Sequence, residues 1–420
     1  MKKRQFIKIC AMVLTAGLAV SACPVFAVPV YAEEIDSEQE VYDVEDENNP
    51  ESIDEPVEEL SSKSEETEEQ EEMVSQNLRS LSLDDSDAVG DGWYQNKFAY
   101  TLNQLERTIT LTKFVGNSAY LIIPGKTLID EEVYTTVLTG DVFNGNNGVE
   151  SIVFEDGVRF EGSAKDMFHY CQNLEELDVS KVDTSGVTDM SQMFGACGKL
   201  KELNVSNLDT SNVTNMYGMF RGLPVTELDL SGFDTSKVTY MGYMFCWTDK
   251  IEELDLSNFD TSSLEGFECM FHMAKGLKKV DLSSFDTSKI INMNTLFGGC
   301  ESLESLDLTS FDTTKVREMS AMFWDCRSLK TIRVSDKWRT DAVYRRTDDE
   351  FGPDNMFTDC KSIVGQNGTT YDENHTDVTY AHIDKPGNPG YLTGITTTHS
   401  ISGIVKDQNG NGLYGVPVKI

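Results

Sequence analysis

Six aspartates, Asp183, Asp209, Asp234, Asp260, Asp286 and Asp312, recur at near-constant spacing in this 420-residue chain. If the chain coils once per interval, their carboxylates line up about 5 Å apart, where like charges repel by roughly 1 kcal/mol even in water. Two chemistries relieve that repulsion. Each Asp can accept hydrogen bonds from the hydroxyls and backbone N–H groups of the Thr and Ser that follow it, or the row can hold a hard cation such as calcium. The Asp/Asn-rich spacing of a dedicated calcium loop is absent, so the first reading is adopted and no metal is assigned. Five cysteines, Cys171, Cys197, Cys300, Cys326 and Cys360, keep the same beat. A ladder offers one thiol per rung, whereas zinc needs ligands converging from several directions. These cysteines are therefore expected as small core residues, with a disulfide between adjacent rungs as the alternative in an oxidising exterior. His169, His272, His375, His382 and His399 form no metal pair at helical spacing, and no serine sits in a Gly-flanked nucleophile elbow. Neither catalysis nor a cofactor is expected.

The elements that position these groups follow from the phenylalanines. Phe168, Phe194, Phe220, Phe245, Phe271, Phe297 and Phe323 are separated by 26, 26, 25, 26, 26 and 26 residues, with Phe357 after an insertion. Each unit has two halves. In the first, apolar and polar residues alternate, as in Leu203-Asn204-Val205-Ser206 and Leu254-Asp255-Leu256-Ser257, which predicts a strand with one buried face. In the second, Met190, Met193, Phe194 and Cys197 lie at i, i+3, i+4 and i+7, as do Met319, Met322, Phe323 and Cys326, which predicts a short amphipathic helix. A unit this small cannot bury its own apolar face, so neighbours must stack. The expected fold is an α/β repeat solenoid with a parallel sheet on one side and short helices on the other. Val182, Leu208, Phe233, Phe259, Phe285 and Phe311 should form an internal spine. The outward positions of the sheet, Glu202, Asn204, Ser206, Glu227, Asp229, Ser231, Glu253, Asp255, Ser257, Lys279, Asp281 and Ser283, make an acidic, hydroxyl-rich face. It is the candidate ligand face, and it lacks the Trp, Tyr and Arg that anchor tight interfaces.

The units LDLSGFDTSKVTYMGYMF and LDLTSFDTTKVREMSAMFWDC resemble the leucine-rich repeats of BspA-type bacterial surface proteins, and the resemblance implies their right-handed coil. It runs from about residue 93 to residue 393, because Ile332-Arg333-Val334-Ser335-Asp336-Lys337-Trp338 and the stretch from Asn355 through Tyr371 to Asn388-Pro389-Gly390-Tyr391 look like that family's terminal unit. Membership implies a surface-exposed, adhesive protein with host matrix proteins such as fibronectin and fibrinogen among its ligand classes. No ligand-binding residue carries over, because the shared motif is architectural.

Composition divides the rest. Lys2, Lys3, Arg4 and Lys8 precede an uncharged run ending at a small-residue cleavage site, Val30-Tyr31-Ala32, so residues 1–32 read as a signal peptide. Val20-Ser21-Ala22-Cys23 offers a lipoprotein box as a minor alternative. Residues 33–90 read as an acidic disordered spacer, since Glu33 to Asp87 hold 23 acids against Lys63 and Arg79. Residues 91–162 read as a β-rich N-terminal cap, 163–335 as the repeats, 336–394 as a C-terminal capping unit, and 395–420 as the opening hairpin of a truncated β-sandwich. Net charge is −36, which argues against a nucleic-acid partner, and no apolar run after the leader is long enough to span a membrane. The expected function is that of an exported or surface-held monomer adhering to an extracellular protein. The alternative is a structural spacer projecting other domains.

Overall fold

A computed structural model describes residues 93–343 and 355–395. The signal peptide, Cys23, the acidic spacer and the β-sandwich hairpin from residue 396 onward lie outside the described residues. The chain opens with an antiparallel pair, β1 (Phe98–Asn103) and β2 (Thr108–Phe114), followed by β3 (Tyr120–Ile123) and a second antiparallel pair, β4 (Lys126–Ile129) and β5 (Glu132–Leu138). Short strands that pair in parallel follow: β6 (Ser151–Phe154), β7 (Arg159–Ser163), β8 (Glu176–Asp178), β9 (Asp183–Asp189), β10 (Glu253–Asp255), β11 (Lys279–Asp281), β12 (Ser305–Leu308), β13 (Thr331–Val334) and β14 (Thr393–Gly394). One sheet runs β1-β2-β5-β7-β9 with β4 on β5, and a second runs β3-β6-β8. At the second sheet's repeat position, β10-β11 and β12-β13-β14 follow further along the chain.

Stacking is carried by the phenylalanines. Nine rings, Phe143, Phe168, Phe194, Phe220, Phe245, Phe271, Phe297, Phe323 and Phe357, lie 5.4–6.0 Å apart between centroids with planes within 20° of parallel. They mark nine turns of the coil, and all are buried. Phe143 adds a rung upstream of residue 163. The second spine, Val182, Leu208, Phe233, Phe259, Phe285 and Phe311, is buried as well.

The amphipathic helices are absent. Among the described residues the one helical element is a 3-10 turn, Val378–Tyr380. The i, i+3, i+4, i+7 set does point inward, but from a ladder of tight turns. Alternate N–H groups bond to the next rung, as Gln192 N to Tyr217 O (2.6 Å) and Phe194 N to Met219 O (3.1 Å), while those between close turns such as Met193 N to Met190 O (3.2 Å). A helix of two turns nucleates poorly, and Gly195, Gly198 and Gly218 weaken it further. A stacked neighbour offers the same N–H groups an acceptor without that cost. The ladder has its own conformational signature. At the second position after each ladder ring, Gly145, Tyr170, Ala196, Gly222, Trp247, Met273, Gly299, Asp325 and Asp359 all take φ between 58° and 81°. This is the left-handed region, free for Gly and costing other residues roughly 1–2 kcal/mol.

The sheet is also less continuous than the alternation predicts. No strand covers residues 202–204 or 227–229. Strands pair regularly where opposite charges face each other: Glu253 is in register with Lys279 (3.8 Å) and Asp307 with Arg333 (3.9 Å). Pairing lapses where Glu202 and Glu227 fall in file with Glu176 and Glu253.

Candidate functional site

The aspartate row is satisfied from within. Backbone N–H groups two residues on donate to Oδ1 of Asp183 (from Ser185, 3.0 Å), Asp209 (Ser211, 2.9 Å), Asp234 (Ser236, 3.0 Å), Asp260 (Ser262, 2.9 Å), Asp286 (Ser288, 2.9 Å) and Asp312 (Thr314, 3.1 Å). The Ser185 hydroxyl and N–H hold the Asp183 carboxyl below the usual carboxylate range, and Thr314 does the same for Asp312. Among the described residues no three His, Cys, Asp or Glu side chains converge as a metal site.

The intervening threonine does something that the sequence did not reveal. Thr184, Thr210, Thr235, Thr261, Thr287 and Thr313 are buried. Each of the first five donates its hydroxyl to the carbonyl of the next rung's aspartate, at 3.0–3.3 Å. Several accept in return, as Thr287 Oγ1 does from Asp312 N (2.8 Å). Thr287→Val should therefore leave a buried N–H and C=O without partners and cost about 1–3 kcal/mol, whereas Thr287→Ser should keep most of the stability. Urea midpoints of the three proteins check this, and a Val variant as stable as wild type would remove the ladder's importance.

All five ladder cysteines are buried, and each thiol donates to the carbonyl of the preceding ladder phenylalanine at 2.8–3.1 Å. Burial pushes the Cys171 thiol up to about 12 and raises the other four as well, so these thiols stay protonated. His169 and His272 are neutral for the same reason, burial lowering both to about 4, while the ring Nδ1 of His272 lies 2.9 Å from Gly298 O. An unfolded chain binds these protons between pH 6.5 and 4 and the folded chain does not. Stability should thus fall as pH drops through that window, by up to about 3 kcal/mol per histidine. Urea midpoints at pH 7 and pH 4 measure this, and equal midpoints would contradict it.

On the strand face, Glu202, Asn204, Glu227, Asp229, Glu253, Asp255 and Lys279 are exposed and Asp281 is half-buried. The eight divide by task. Oδ1 of Asn204, Asp229, Asp255 and Asp281 accepts from Ser206, Ser231, Ser257 and Ser283 N–H at 2.9–3.1 Å, so these side chains shape the turn that ends each strand position. Glu202, Glu227, Glu253 and Lys279 stand clear of such bonds. Neutralisation is uneven along the file. Lys278 meets Glu252 (2.7 Å), Lys279 meets Glu253 (3.8 Å) and Lys330 meets Glu304 (2.8 Å), whereas Glu202 and Glu227 meet no cation among the described residues.

The anchoring residue types missing from the strand face occur on the turn face. The Arg221 guanidinium lies 4.5 Å from the Trp247 ring centroid and 6.0 Å from that of Tyr243. Tyr217 stacks on Tyr240 at 5.7 Å, and the Tyr240 hydroxyl donates to Glu268. Burial raises the pKa of Tyr217, Tyr240 and Tyr243. The sequence hides this cluster because its members sit at different offsets in separate repeats.

No curated protein matches the sequence. Among solved structures, the coil is similar to the leucine-rich repeat protein of T. pallidum, at 16% identity and TM-score 0.31, over 56% of this chain and 89% of that one. It is also similar to a leucine-rich repeat protein of Bacteroides ovatus, at 16% identity and TM-score 0.30, over 64% of this chain and 80% of that one. A leucine-rich cell surface protein of Faecalibacterium prausnitzii matches at 15% identity and TM-score 0.25, over 66% of this chain and 94% of that one. The family described as Mycoplasma protein of unknown function, DUF285, matches twice, over residues 162–278 and 247–364. The repeat segment of this chain, residues 162–364, thus matches the DUF285 repeats, a repeat family associated with BspA-type bacterial surface proteins.

Proposed function

We propose that this is an exported bacterial surface protein that adheres by protein–protein contact, its strand face receiving a cationic segment of an extracellular partner. The observation that carries this reading is the un-neutralised stretch of the face around Glu202 and Glu227, where strand pairing also lapses. Carboxylates left in file without counter-charges repel each other, and a partner's Lys or Arg relieves that repulsion on binding. No helix of the described residues is long and apolar enough to cross a membrane, so surface retention would rest on other segments.

The test uses the full chain against immobilised fibronectin and fibrinogen. Binding should be saturable and weaken with added salt, and the double change Glu202→Gln/Glu227→Gln should lower affinity about tenfold, mainly through a slower on-rate. Changing the already paired Glu253 should matter less. Saturable binding untouched by the double change would move the contact elsewhere, and no binding to either protein would favour the spacer role.

A further inference from the structure

The first strand of the coil is an open edge. Among the described residues β1 pairs with β2 alone, and from Ala99 to Asn103 every residue is exposed. The register fixes which backbone groups are left over. Arg107 O accepts from Thr135 N (2.8 Å) and Leu111 O from Thr139 N (3.4 Å), so alternate residues of β2, ending at Leu111, bond toward β5. Thr108 and Thr110 are then the residues that bond toward β1, where Asn103 and Thr101 stand opposite them. An antiparallel ladder alternates, so Tyr100 and Leu102 turn their N–H and C=O groups outward. Edges are usually blunted by charge or proline, and β1 has neither between Phe98 and Asn103. Its bulge, between Ala99 and Tyr100, lies ahead of the regular stretch. By contrast β4, which pairs only with β5, starts at Lys126 and is followed by Asp130, Glu131 and Glu132.

Such an edge matches another strand, and the strand it matches best is itself. When a second copy meets β1 antiparallel about a two-fold axis at Thr101, each Tyr100 falls opposite the other copy's Leu102, and Thr101 falls opposite its own equivalent. Each Tyr100–Leu102 pair then exchanges both of its backbone hydrogen bonds. The side chains form aromatic–aliphatic contacts on one face and a Thr–Thr contact on the other, all favourable across a ladder. Tyr100 and Leu102 are 38% and 41% exposed, and the Tyr100 ring is already braced edge-on against Tyr94 at 4.6 Å. Charge permits the approach at this end of the coil. Residues 93–138 carry Lys97, Arg107, Lys113 and Lys126 against Glu106, Asp130, Glu131 and Glu132, so they are neutral in a chain of −36.

We infer that two copies of this chain associate through β1, paired antiparallel about Thr101 so that their first sheets become one. This pairing takes the place of the monomer expected from the sequence. It is separate from the strand face and does not depend on it. One strand a side is a small contact, so the association is reversible.

Sedimentation equilibrium of the full chain from about 1 μM to about 0.1 mM should show a monomer–dimer equilibrium. Added salt should strengthen the dimer, because it screens repulsion between two acidic chains and the contact itself holds no charge; binding at the strand face weakens with salt. Thr101→Lys sets like charges against each other at the axis and should weaken association by at least about tenfold. Its thermal melt should stay unchanged, since Thr101 is exposed. Thr101→Cys should give a reducible covalent dimer on mild oxidation, whereas Ala99→Cys, opposite the other copy's Asn103, should not. A chain monomeric at every concentration would overturn the pairing and leave the edge to a strand of another protein. A dimer untouched by Thr101→Lys would place the contact elsewhere, and equal cross-linking of the two cysteine variants would overturn the register.

Discussion

Replacing Phe245 with alanine should destabilise the protein by about 3–5 kcal/mol, read as a lowered urea midpoint. The ring is fully buried and stacks at 5.8 Å on Phe220 on one side and on Phe271 on the other. Truncation removes the transfer free energy of one ring and opens a cavity that both neighbours line. They cannot close it easily, because each is held in register by its own rung's bonds to the next. Phe245→Leu, which fills part of the volume, should cost clearly less. A loss under about 1 kcal/mol for the alanine variant would mean that the stack relaxes as a whole.

Asp384→Ala should cost a comparable amount, about 3–5 kcal/mol, at the other end of the coil. This buried carboxylate accepts from Asn367 N (2.8 Å), Thr369 N (3.1 Å), Thr369 Oγ1 (2.8 Å) and Gly390 N (3.4 Å). Burial pushes its pKa up, but these hydrogen bonds more than offset that and leave it lowered. The folded pKa lies below the unfolded one, so its contribution is present at neutral pH and is lost as pH falls through the acid range. The segment it ties together includes Tyr391, whose ring packs edge-on against Phe357 at 5.1 Å and so closes the ring stack. Asp384→Asn keeps an acceptor but aims a donor at other donors, and should fall between wild type and alanine. An alanine variant with an unchanged melt would show that Asn367, Thr369 and Gly390 find other partners.

The parts of this molecule legible in the sequence are those that repeat. Phe168 to Phe357 gave the period, the core and the number of rungs downstream of residue 163, because stacking forces the same residue type to the same place. Phe143 escaped because the residues before it lack the Asp-Thr-Ser turn that marks later rungs. The amphipathic spacing of Met190, Met193, Phe194 and Cys197 identified the buried side chains and misassigned the backbone. Over eight residues, a helix and a ladder of alternating turns place the same side chains inward. Gly195, Gly198 and Gly218 were the available signal against a helix. Thr184 and its equivalents were read as part of a local turn, since a single repeat does not show that its hydroxyl reaches the next one. Of the eight strand-face residues all but Asp281 are exposed, and their counter-charges depend on neighbours 25 or 26 residues away, as Glu253 does on Lys279. Arg221 and Trp247 were invisible for the opposite reason: no other repeat carries the same residue type at their positions.

The threonine ladder has a mechanical consequence. Its hydroxyls, like most backbone bonds of the turn ladder, point from one rung to the next. Tension drawn along the axis would load these links one after another, like stitches in a seam, so the weakest junction sets the force at which the coil begins to open. At the junctions where Glu202 and Glu227 stand, no strand adds its own bonds to these stitches. Under load the coil should part there first and lengthen stepwise, leaving the rungs on either side closed.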